Sequence, residues 1–250
     1  APLLWCWGIW DSLLLAGGEK RFGTRWFDAC HEHIVTVPVP EHKDCAPWFL
    51  FLNHEDIGRV LLERAIANGA ECTLGAKRWA LTRAQACWHL SWESSKGPEE
   101  ISCTLLVGAD GTGSSVRSRL AIDIQRHRYH YPIAVLYGRQ RTVPEKRTLD
   151  VHLTHNRMLS LIPRTGGGTK IGFPIAVEEL TLWRDAPELQ LHEQLREWCP
   201  TLDFETLAFG ALYPPVSQQS EAYEGEGAAV LMGDARHAMH PARSMGMNTC

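Results

Sequence analysis

The sequence predicts an α/β fold in which a part built from helices and parallel strands is interrupted by a mostly antiparallel β region. Three observations support this prediction. Two short apolar runs, at residues 101–107 and 228–232, each lead into a turn that contains glycine and aspartate. Apolar residues after Asn53 recur at helical spacing. Residues 125–215 contain stretches that alternate apolar and polar positions, as strands with one exposed face do.

The segment after Asn53 is the longest predicted helix. Asn53 is a good N-cap residue, and apolar side chains recur from Ile57 to Ile66 until Asn68 and Gly69 end the pattern. We therefore expect a helix of about four turns at this place.

The two apolar runs are typical of buried parallel strands. Residues 101–107 lead into the sequence Gly-Ala-Asp-Gly, after which residues 114–120 predict a brief helix. Residues 228–232 lead into Gly233 and Asp234. Both turns therefore follow the carboxyl end of a predicted strand, which is where open parallel sheets bind their ligands.

The region between these runs predicts an antiparallel sheet with one solvent-exposed face. A helix follows at residues 188–198 and is closed by Pro200. The predicted strands are residues 133–137, 149–154, 158–162 and 170–175, separated by proline and glycine turns.

Composition excludes several classes of protein. The chain has 250 residues, is 44% hydrophobic and 22% charged, and carries a net charge of -4, so disorder, nucleic-acid binding and attraction to anionic membranes are not expected. The longest apolar run, residues 3–10, is far shorter than the ~20 residues that span a bilayer. Eight cysteines without a C-x-x-C pair favour reduced, mostly buried thiols and a cytoplasmic location.

The second turn has the residues that a nucleotide-like ligand needs. Gly233 permits a sharp turn, and the Asp234 carboxylate can accept hydrogen bonds from ribose-like hydroxyls. Further on, Gly246 removes side-chain bulk and Asn248 offers a donor and an acceptor, so a flat polar ring could lie against this backbone. On the residues alone, a plain strand-ending turn explains the Gly-Asp pair as well.

Two motifs flank the β-rich region in a defined order. Residues 107–117 read VGADGTGSSVR, and residues 231–241 read LMGDARHAMHP. They resemble the Asp-Gly and Gly-Asp motifs of the class A flavoprotein monooxygenases, the family that includes para-hydroxybenzoate hydroxylase. The resemblance extends over essentially the whole chain.

This resemblance implies an FAD-dependent enzyme that takes hydride from NAD(P)H. In the family, reduced flavin traps O2 as a C4a-hydroperoxide, which hydroxylates or epoxidises a small organic substrate. We therefore expect a monooxygenase that acts on an aromatic compound. A flavin-dependent halogenase or a saturating reductase of the same superfamily is the alternative enzyme.

The resemblance also implies which residues contact FAD. Asp234, after the turn at Gly233, is expected to hydrogen-bond the ribityl chain, and Pro241 is expected to lie near the reactive edge of the flavin. Asp110 is a further candidate, because the family uses its turn for both FAD and the nicotinamide nucleotide. Arg117 fits a phosphate contact and a structural charge at a helix terminus equally well.

The segment beyond the Gly-Asp motif is the other expected contact with the cofactor. By resemblance, Gly246, Met247 and Asn248 face the pyrimidine side of the isoalloxazine. Before them, Ser244 and Met245 stand where the family commonly has Gly-Gln. This departure reduces the freedom of the loop and removes an amide.

The resemblance implies an incomplete FAD/NAD(P)-binding Rossmann-like domain with an inserted substrate domain. We expect residues 1–124 to form the first part of the FAD-binding domain, residues 125–215 the β-rich substrate domain, and residues 216–250 the segment with the Gly-Asp motif. The Gly-x-Gly-x-x-Gly turn that receives the FAD pyrophosphate does not occur where the family has it. We therefore expect a fragment that lacks both termini and is inactive by itself.

Other functional classes find less support in the sequence. His31 with His33, or His237 with His240, could place two imidazoles near one ion, but no third ligand is singled out and no metal site is expected. A hydrolase is not indicated, because no Gly-x-Ser-x-Gly elbow is present. Outside enzymes, a non-catalytic binding module or a decayed monooxygenase is the alternative.

The sequence identifies neither the substrate, nor a catalytic residue, nor the oligomeric state. Side chains of the middle region that are candidates to line a substrate pocket are Tyr137, His152, Met158 and Arg164. Alternation along the strand at residues 149–154 places Val151 and His152 on opposite faces. Which face meets the flavin does not follow from the pattern.

Overall fold

The structure is a computed structural model that describes residues 2–39, 49–142, 148–154, 156–222, 224–225 and 228–241. The chain forms two compact units. The first consists of Ala1–Ala70 and His130–Tyr213, and the second of Glu71–Tyr129 and Pro214–Cys250. The two units are defined by contacts between residues, whereas the predicted domains are defined by the ligand that each would bind. The units therefore do not test the predicted domains, which stay a prediction.

Helices occur in both units. Among the described residues the α-helices are α1 (Pro2–Cys6), α2 (Trp10–Leu15), α3 (His54–Ala67), α4 (Ser115–Arg119), α5 (Leu180–Asp185) and α6 (Glu188–Trp198). The predicted helices at residues 114–120 and 188–198 are thus confirmed as α4 and α6.

The strands outnumber the helices. In chain order they are β1 (Glu19–Arg21), β2 (Gly23–Phe27), β3 (His33–Pro38), β4 (Phe49–Phe51), β5 (Lys77–Ala84), β6 (Cys87–Ser94), β7 (Gly97–Cys103), β8 (Leu106–Gly108), β9 (Ile124–Arg128), β10 (Ile133–Gln140), β11 (Leu149–Leu153), β12 (Met158–Pro163), β13 (Gly168–Pro174), β14 (Phe204–Tyr213), β15 (Val216–Ser220), β16 (Glu224–Gly225), β17 (Ala229–Leu231) and β18 (His237–Ala238). Short 3-10 helices at Thr165–Gly167, Val177–Glu179 and Gly233–Ala235 complete the described elements.

The first unit is built on a seven-stranded sheet with the strand order β14-β10-β13-β12-β11-β2-β3. All neighbouring strands are antiparallel except β2 and β11, which are parallel with Trp26 opposite Val151. The four strands predicted in the middle region are present, so the predicted antiparallel sheet is confirmed. The sequence did not predict that β2 and β3, from before that region, extend the same sheet.

Helices α5 and α6 cover one face of this sheet. The core between them joins inward-facing strand residues to Trp183 of α5 and to Leu191 and Leu195 of α6. The ring of Phe173 on β13 meets the edges of Trp183 and Trp198, with centroid distances of 4.8 and 5.2 Å. Such aromatic pairs add to the stability that burial alone provides.

Helix α3 begins after Asn53, as predicted, but Asn53 does not cap it. Asn53 has extended backbone angles at the N-cap position, and its side chain makes no cap hydrogen bond. Its amide nitrogen instead donates to Oγ1 of Thr165 at 2.5 Å, and its amide oxygen accepts from Nε of Arg164 at 2.9 Å. Asn53 therefore occupies the predicted N-cap position, but its side chain does not cap the helix because Asp56, Thr165 and Arg164 occupy the amide.

The second unit contains three small sheets. Strands β5, β6 and β7 form an antiparallel meander, and β9, β15 and β18 form a second antiparallel sheet. In the third sheet β17 pairs in parallel with β8 and antiparallel with β16. The single strand predicted over residues 101–107 is wrong. The chain leaves the meander at Cys103 and begins β8 at Leu106, because β7 and β8 pair with different partners.

The parallel pair is covered on one face. Leu106 and Leu231 are buried together with Val116 of α4, whereas Val107 is exposed. Buried parallel strands were expected, and β8 and β17 are buried on this one face only.

The described helices and cysteines bear on the expectations drawn from composition. Among these residues no helix is both long and apolar enough to cross a bilayer. All six described cysteines are free thiols, and three of them, Cys6, Cys30 and Cys72, are exposed. Cys199 is the one described cysteine that is buried, so the expectation of mostly buried thiols is wrong.

An ion pair fixes the chain between β13 and α5. The Arg157 guanidinium donates to both carboxylate oxygens of Glu179, at 2.6 and 3.1 Å, and to the carbonyl oxygen of Pro174 at 3.2 Å. Glu179 also accepts from the backbone N–H of Ala176 at 2.8 Å. The hydrogen bond from Arg157 holds the pKa of Glu179 below its usual value, although burial acts in the opposite direction.

We expect Glu179→Gln to lower the free energy of unfolding by about 1 to 3 kcal/mol at pH 7, because a charge-assisted bidentate bond is lost. A carboxylate with a depressed pKa stabilises the fold above its unfolded pKa, and the stabilisation disappears as the pH falls through the folded pKa. Urea denaturation at pH 7 and at about pH 3 should therefore show a smaller difference between the two proteins in acid. Asp185→Asn, which removes the exposed pair with Arg184, is the control and should change little. An equal loss for both variants at neutral pH would contradict this account.

Candidate functional site

The two aspartate turns lie at one edge of the same sheet. Strands β8 and β17 run parallel, with Val107 opposite Val230 and Gly108 opposite Leu231. The N–H of Met232 donates to the carbonyl oxygen of Gly108 at 2.9 Å, so the pairing continues to the start of both turns. The prediction that both turns follow parallel strands in one sheet is confirmed.

The carboxylate of Asp110 is used within its own turn. It accepts from Oγ of Ser114 at 2.5 Å and from the backbone N–H groups of Ser115 and Val116 at 2.7 and 3.1 Å. These are N–H groups at the start of α4, which have no partner inside the helix. Burial tends to raise the pKa of Asp110, but these hydrogen bonds outweigh it and the pKa lies below its usual value. Asp110 therefore organises the turn and leaves few lone pairs for a ligand.

Asp234 stands in contrast to Asp110. It lies in the 3-10 turn after β17, where Gly233 has a φ of +58°, and its side chain is exposed. No hydrogen bond or ion pair to its carboxylate occurs among the residues that the structure describes. A carboxylate held at the carboxyl end of a parallel strand, with all of its lone pairs available, can accept hydrogen bonds from hydroxyl groups.

A buried arginine connects the two turns. The guanidinium of Arg117, on α4, donates to the carbonyl oxygen of Ala235 at 2.6 Å and to that of Thr112 at 3.0 Å. Its side chain is buried, and this burial, followed by the positive charge of Arg126, lowers its pKa. Of the two alternatives for Arg117, this geometry favours the structural one.

Gln218 and Arg126 complete the connection. The amide nitrogen of Gln218 donates to the carbonyl oxygens of Asp234 and Thr112 at 2.7 and 3.2 Å. Its amide oxygen accepts from Arg126, which also donates to Thr112 at 2.8 Å. Sequence reasoning missed both residues. One signal for Gln218 was available, because it stands at an inward position of the strand at residues 216–220. A buried amide requires polar partners, so a glutamine at such a position indicates a hydrogen-bonded site.

The remaining predicted contacts lie at the end of the chain. Pro241 is exposed and follows His240, whose ring packs edge-on against Tyr129 at 4.4 Å. Gly246, Met247 and Asn248 lie outside the described residues.

Three candidates for a substrate pocket lie on strands of the seven-stranded sheet, and the fourth, Arg164, directly follows β12. The candidates on the strands do not share a face. Tyr137 and Met158 lie on the face opposite α5 and α6, and the guanidinium of Arg164 stacks on the Tyr137 ring at 4.4 Å. His152 is opposite Leu159, whose side chain belongs to the core under the helices. The interpretation of His152 as part of the same pocket is therefore not supported.

Gly108 permits α4 to approach the parallel strands. A Cβ atom at this position would lie 2.8 Å from Cγ1 of Val116 and 2.9 Å from Cδ2 of Leu231, which is closer than such atoms can come. The start of α4, and with it the bonds of Asp110 and Arg117, depends on this close packing.

The chain belongs to the family described as FAD binding domain, whose profile matches residues 6–250. The resemblance to the class A flavoprotein monooxygenases, stated above from the two motifs, is confirmed.

Named relatives are similar to parts of this chain or to its fold. The 12-dehydrotetracycline 5-monooxygenase/anhydrotetracycline 6-monooxygenase of Streptomyces rimosus subsp. rimosus is 38% identical over 77 residues, which are 31% of this chain and 15% of that protein. The ternary complex of aklavinone-11 hydroxylase with FAD and aklavinone has a TM-score of 0.79 at 18% identity, covering 98% of this chain and 50% of that chain. The anhydrotetracycline hydroxylase of Streptomyces rimosus has a TM-score of 0.65 at 25% identity, covering 98% and 48%. The chain thus spans about half the length of these two structures.

We expect Gly108→Ala to lower the free energy of unfolding by about 1 to 3 kcal/mol, because the added methyl group overpacks the contact with Val116 and Leu231. Urea denaturation monitored by circular dichroism measures this change. Gly113→Ala is the matched control: it lies in the same turn, no atom comes within 4 Å of its added Cβ, and the change should stay within about 0.5 kcal/mol. Equal stability of the two variants would show that the close approach at Gly108 is not required.

Proposed function

We propose that this chain is the FAD-binding part of a monooxygenase that hydroxylates an aromatic substrate with NAD(P)H and O2, in the cytoplasm. One observation carries the proposal. The parallel strands β8 and β17 bring two aspartate turns to one sheet edge, and the Asp234 carboxylate is exposed there without a partner among the described residues. The family match over residues 6–250 supports FAD as the ligand.

The described residues fit FAD at this edge. Asp234 holds ribityl hydroxyls through its carboxylate, and Gly233 leaves the turn open, since no atom of the described residues lies within 4 Å of a Cβ added there. Asp110 acts indirectly, as the residue that caps α4 and fixes the turn beside it. Pro241 remains a proposed contact with the isoalloxazine, and so do Gly246, Met247 and Asn248.

The cofactor and the protein have separate roles in the proposed reaction. FAD, reduced by NAD(P)H, supplies the activation of O2. The chain supplies binding and orientation, and Arg117 and Gln218 keep the carbonyl groups of both turns engaged so that Asp234 presents its carboxylate outward.

We also propose that the face of the seven-stranded sheet opposite α5 and α6 receives the substrate. Tyr137 and Tyr213 present rings there, and Nζ of Lys170 lies 5.3 Å from the centre of the Tyr213 ring. Burial, followed by the nearby charge of Arg164, lowers the pKa of Lys170. An aromatic ring gains stacking contacts on such a surface, and two cations lower the pKa of a phenol bound beside them. The tetracycline and aklavinone names of the relatives make fused-ring phenols the first compounds to assay.

We expect Asp234→Asn to weaken FAD binding about ten- to a hundredfold, because charged hydrogen bonds worth about 1.5 to 3 kcal/mol are reduced. The measurement is the quenching of flavin fluorescence on titration into the full product of the encoding gene. Glu100→Gln, which neutralises another exposed carboxylate of the second unit, should leave the affinity unchanged. A well-folded Asp234→Asn protein with wild-type affinity would remove Asp234 from the site.

The activity itself is tested with the same full-length protein, a panel of phenols and heavy-isotope O2. We expect NAD(P)H consumption that is stimulated by a substrate and a product that carries one oxygen atom from O2. Comparison of NADH and NADPH at equal concentration identifies the reductant. A halogenated product in the presence of chloride or bromide would favour the halogenase alternative. Bound FAD without any oxygen transfer would overturn the proposed reaction.

A further inference from the structure

Three potential metal ligands from distant parts of the first unit come together on the helix-covered side of its sheet. They are His31, His152 and Cys199, and one ligand atom of each lies within 4.8 Å of the others. The sequence pattern alone instead indicates His31 and His33 as a pair. His33, however, hydrogen-bonds Oγ1 of Thr36 through its Nε2 at 2.8 Å and is not part of the group.

Each of the three residues is held by a defined element. His31 lies in the turn between β2 and β3, which Asp28 closes by accepting from the N–H groups of Cys30 and Glu32. His152 lies on β11, and its ring stacks on Phe27 with a centroid distance of 4.5 Å and an interplanar angle of 7°.

Cys199 follows α6 directly. Its N–H donates to the carbonyl oxygen of Leu195 at 2.8 Å, and its own carbonyl oxygen accepts from the N–H of Leu202 at 3.0 Å. These bonds fix the end of the helix and the backbone position of Cys199.

One ring nitrogen of each histidine in this group has no hydrogen-bond partner among the described residues. His152 is 4% exposed and Cys199 is fully buried, whereas His31 is half-buried. The Nδ1 atoms of both histidines are buried and make no hydrogen bond among the described residues. A buried imidazole nitrogen without a partner carries a cost that a ligand relieves. His31 has a φ of +65°, which is uncommon for a residue with a side chain. The turn therefore holds His31 in this conformation at a cost in free energy.

We propose that His31, His152 and Cys199 bind one Zn²⁺ ion. Two imidazole nitrogens and one thiolate are ligands that zinc prefers, and three protein ligands leave a fourth position for water. The site is additional to the proposed flavin function and does not depend on it.

The three ligand atoms must move closer together to bind a zinc ion. With bond lengths of about 2.0 Å to nitrogen and about 2.3 Å to sulfur, tetrahedral zinc places its ligand atoms about 3.3 to 3.6 Å apart. Side-chain rotation at the half-buried His31 can supply most of this movement, since the stacked His152 and the enclosed Cys199 have less freedom. Because His31 is only half-buried, an ion can reach the site from solvent on its side.

The two buried ligands differ in how their protonation affects metal binding. Burial lowers the pKa of His152 to about 4, so its imidazole is neutral and its nitrogen available near pH 7. Burial raises the pKa of Cys199 to about 11, so the thiol is protonated near pH 7. It must release its proton to solvent as the sulfur–metal bond forms, and the bond has to outweigh this cost. The nearest charged groups, Arg25 and Asp150, form an ion pair with each other and add little net charge.

The test is a titration of the full chain with Co²⁺, a spectroscopic substitute for Zn²⁺, followed by competition with Zn²⁺. We expect one Co²⁺ per chain, with the near-ultraviolet band of a cobalt–thiolate bond, and a higher midpoint of thermal unfolding with Zn²⁺. Since even outer-shell changes cost about ten- to a hundredfold, Cys199→Ala should abolish the band and weaken binding at least about a hundredfold.

Matched variants separate this site from adventitious binding. Asn tolerates a positive φ, so His31→Asn preserves the turn and should weaken Co²⁺ binding at least about tenfold. His33→Asn and Cys72→Ser, outside the group, should bind as the wild type does. Circular dichroism checks each fold, and His31→Asn remains informative if Cys199→Ala does not fold. No Co²⁺ binding by the wild-type chain, or equal binding by His31→Asn and His33→Asn, would overturn the proposal.

Discussion

The arrangement of the sheet edge that carries both aspartate turns depends on the buried guanidinium of Arg117, which bonds a carbonyl group in each turn. The parallel pairing of β8 with β17 covers only three residues of each strand, and so short a ladder is weak by itself. An arginine offers several donors in a rigid plane, so one side chain can bond both turns at once. A buried charge is costly unless its donors are used, and the carbonyl oxygens of Thr112 and Ala235 use them.

The two aspartates show how environment divides one residue type between two tasks. Asp110 and Asp234 both follow parallel strands at the same edge. Three donors at the start of α4 bond the carboxylate of Asp110. These bonds stabilise the turn and leave Asp110 with fewer lone pairs for a ligand. Asp234 lies within a single 3-10 turn, and no α-helix follows it among the described residues. Its own turn therefore provides no N–H groups of this kind, and its carboxylate stays available.

Much of the fold was predictable because its signals are local. The helical spacing after Asn53 and the alternation at residues 133–175 report directly on which positions are buried. The break between β7 and β8 was not predictable, because residues 101–107 form one apolar run and only the choice of partner strands divides it. Likewise, the motifs indicated Asp110 and Asp234, whereas Gln218 and Arg126 carry no local signature. Their roles arise from contacts across about a hundred residues of sequence.

The seven-stranded sheet separates two chemical environments by the alternation of its strands. On β11, Val151 and His152 are neighbours in sequence, yet His152 turns toward the core beneath α6 and Val151 turns away from it. The face with Tyr137 and Lys170 combines aromatic rings with positive charge, which suits an aromatic acid or phenol. On the other face, two imidazoles whose Nδ1 atoms have no hydrogen-bond partner among the described residues lie near a thiol, a set that suits a transition-metal cation. Because the backbone of the sheet lies between them, a metal held by His152 stabilises the scaffold without entering the face proposed for the substrate.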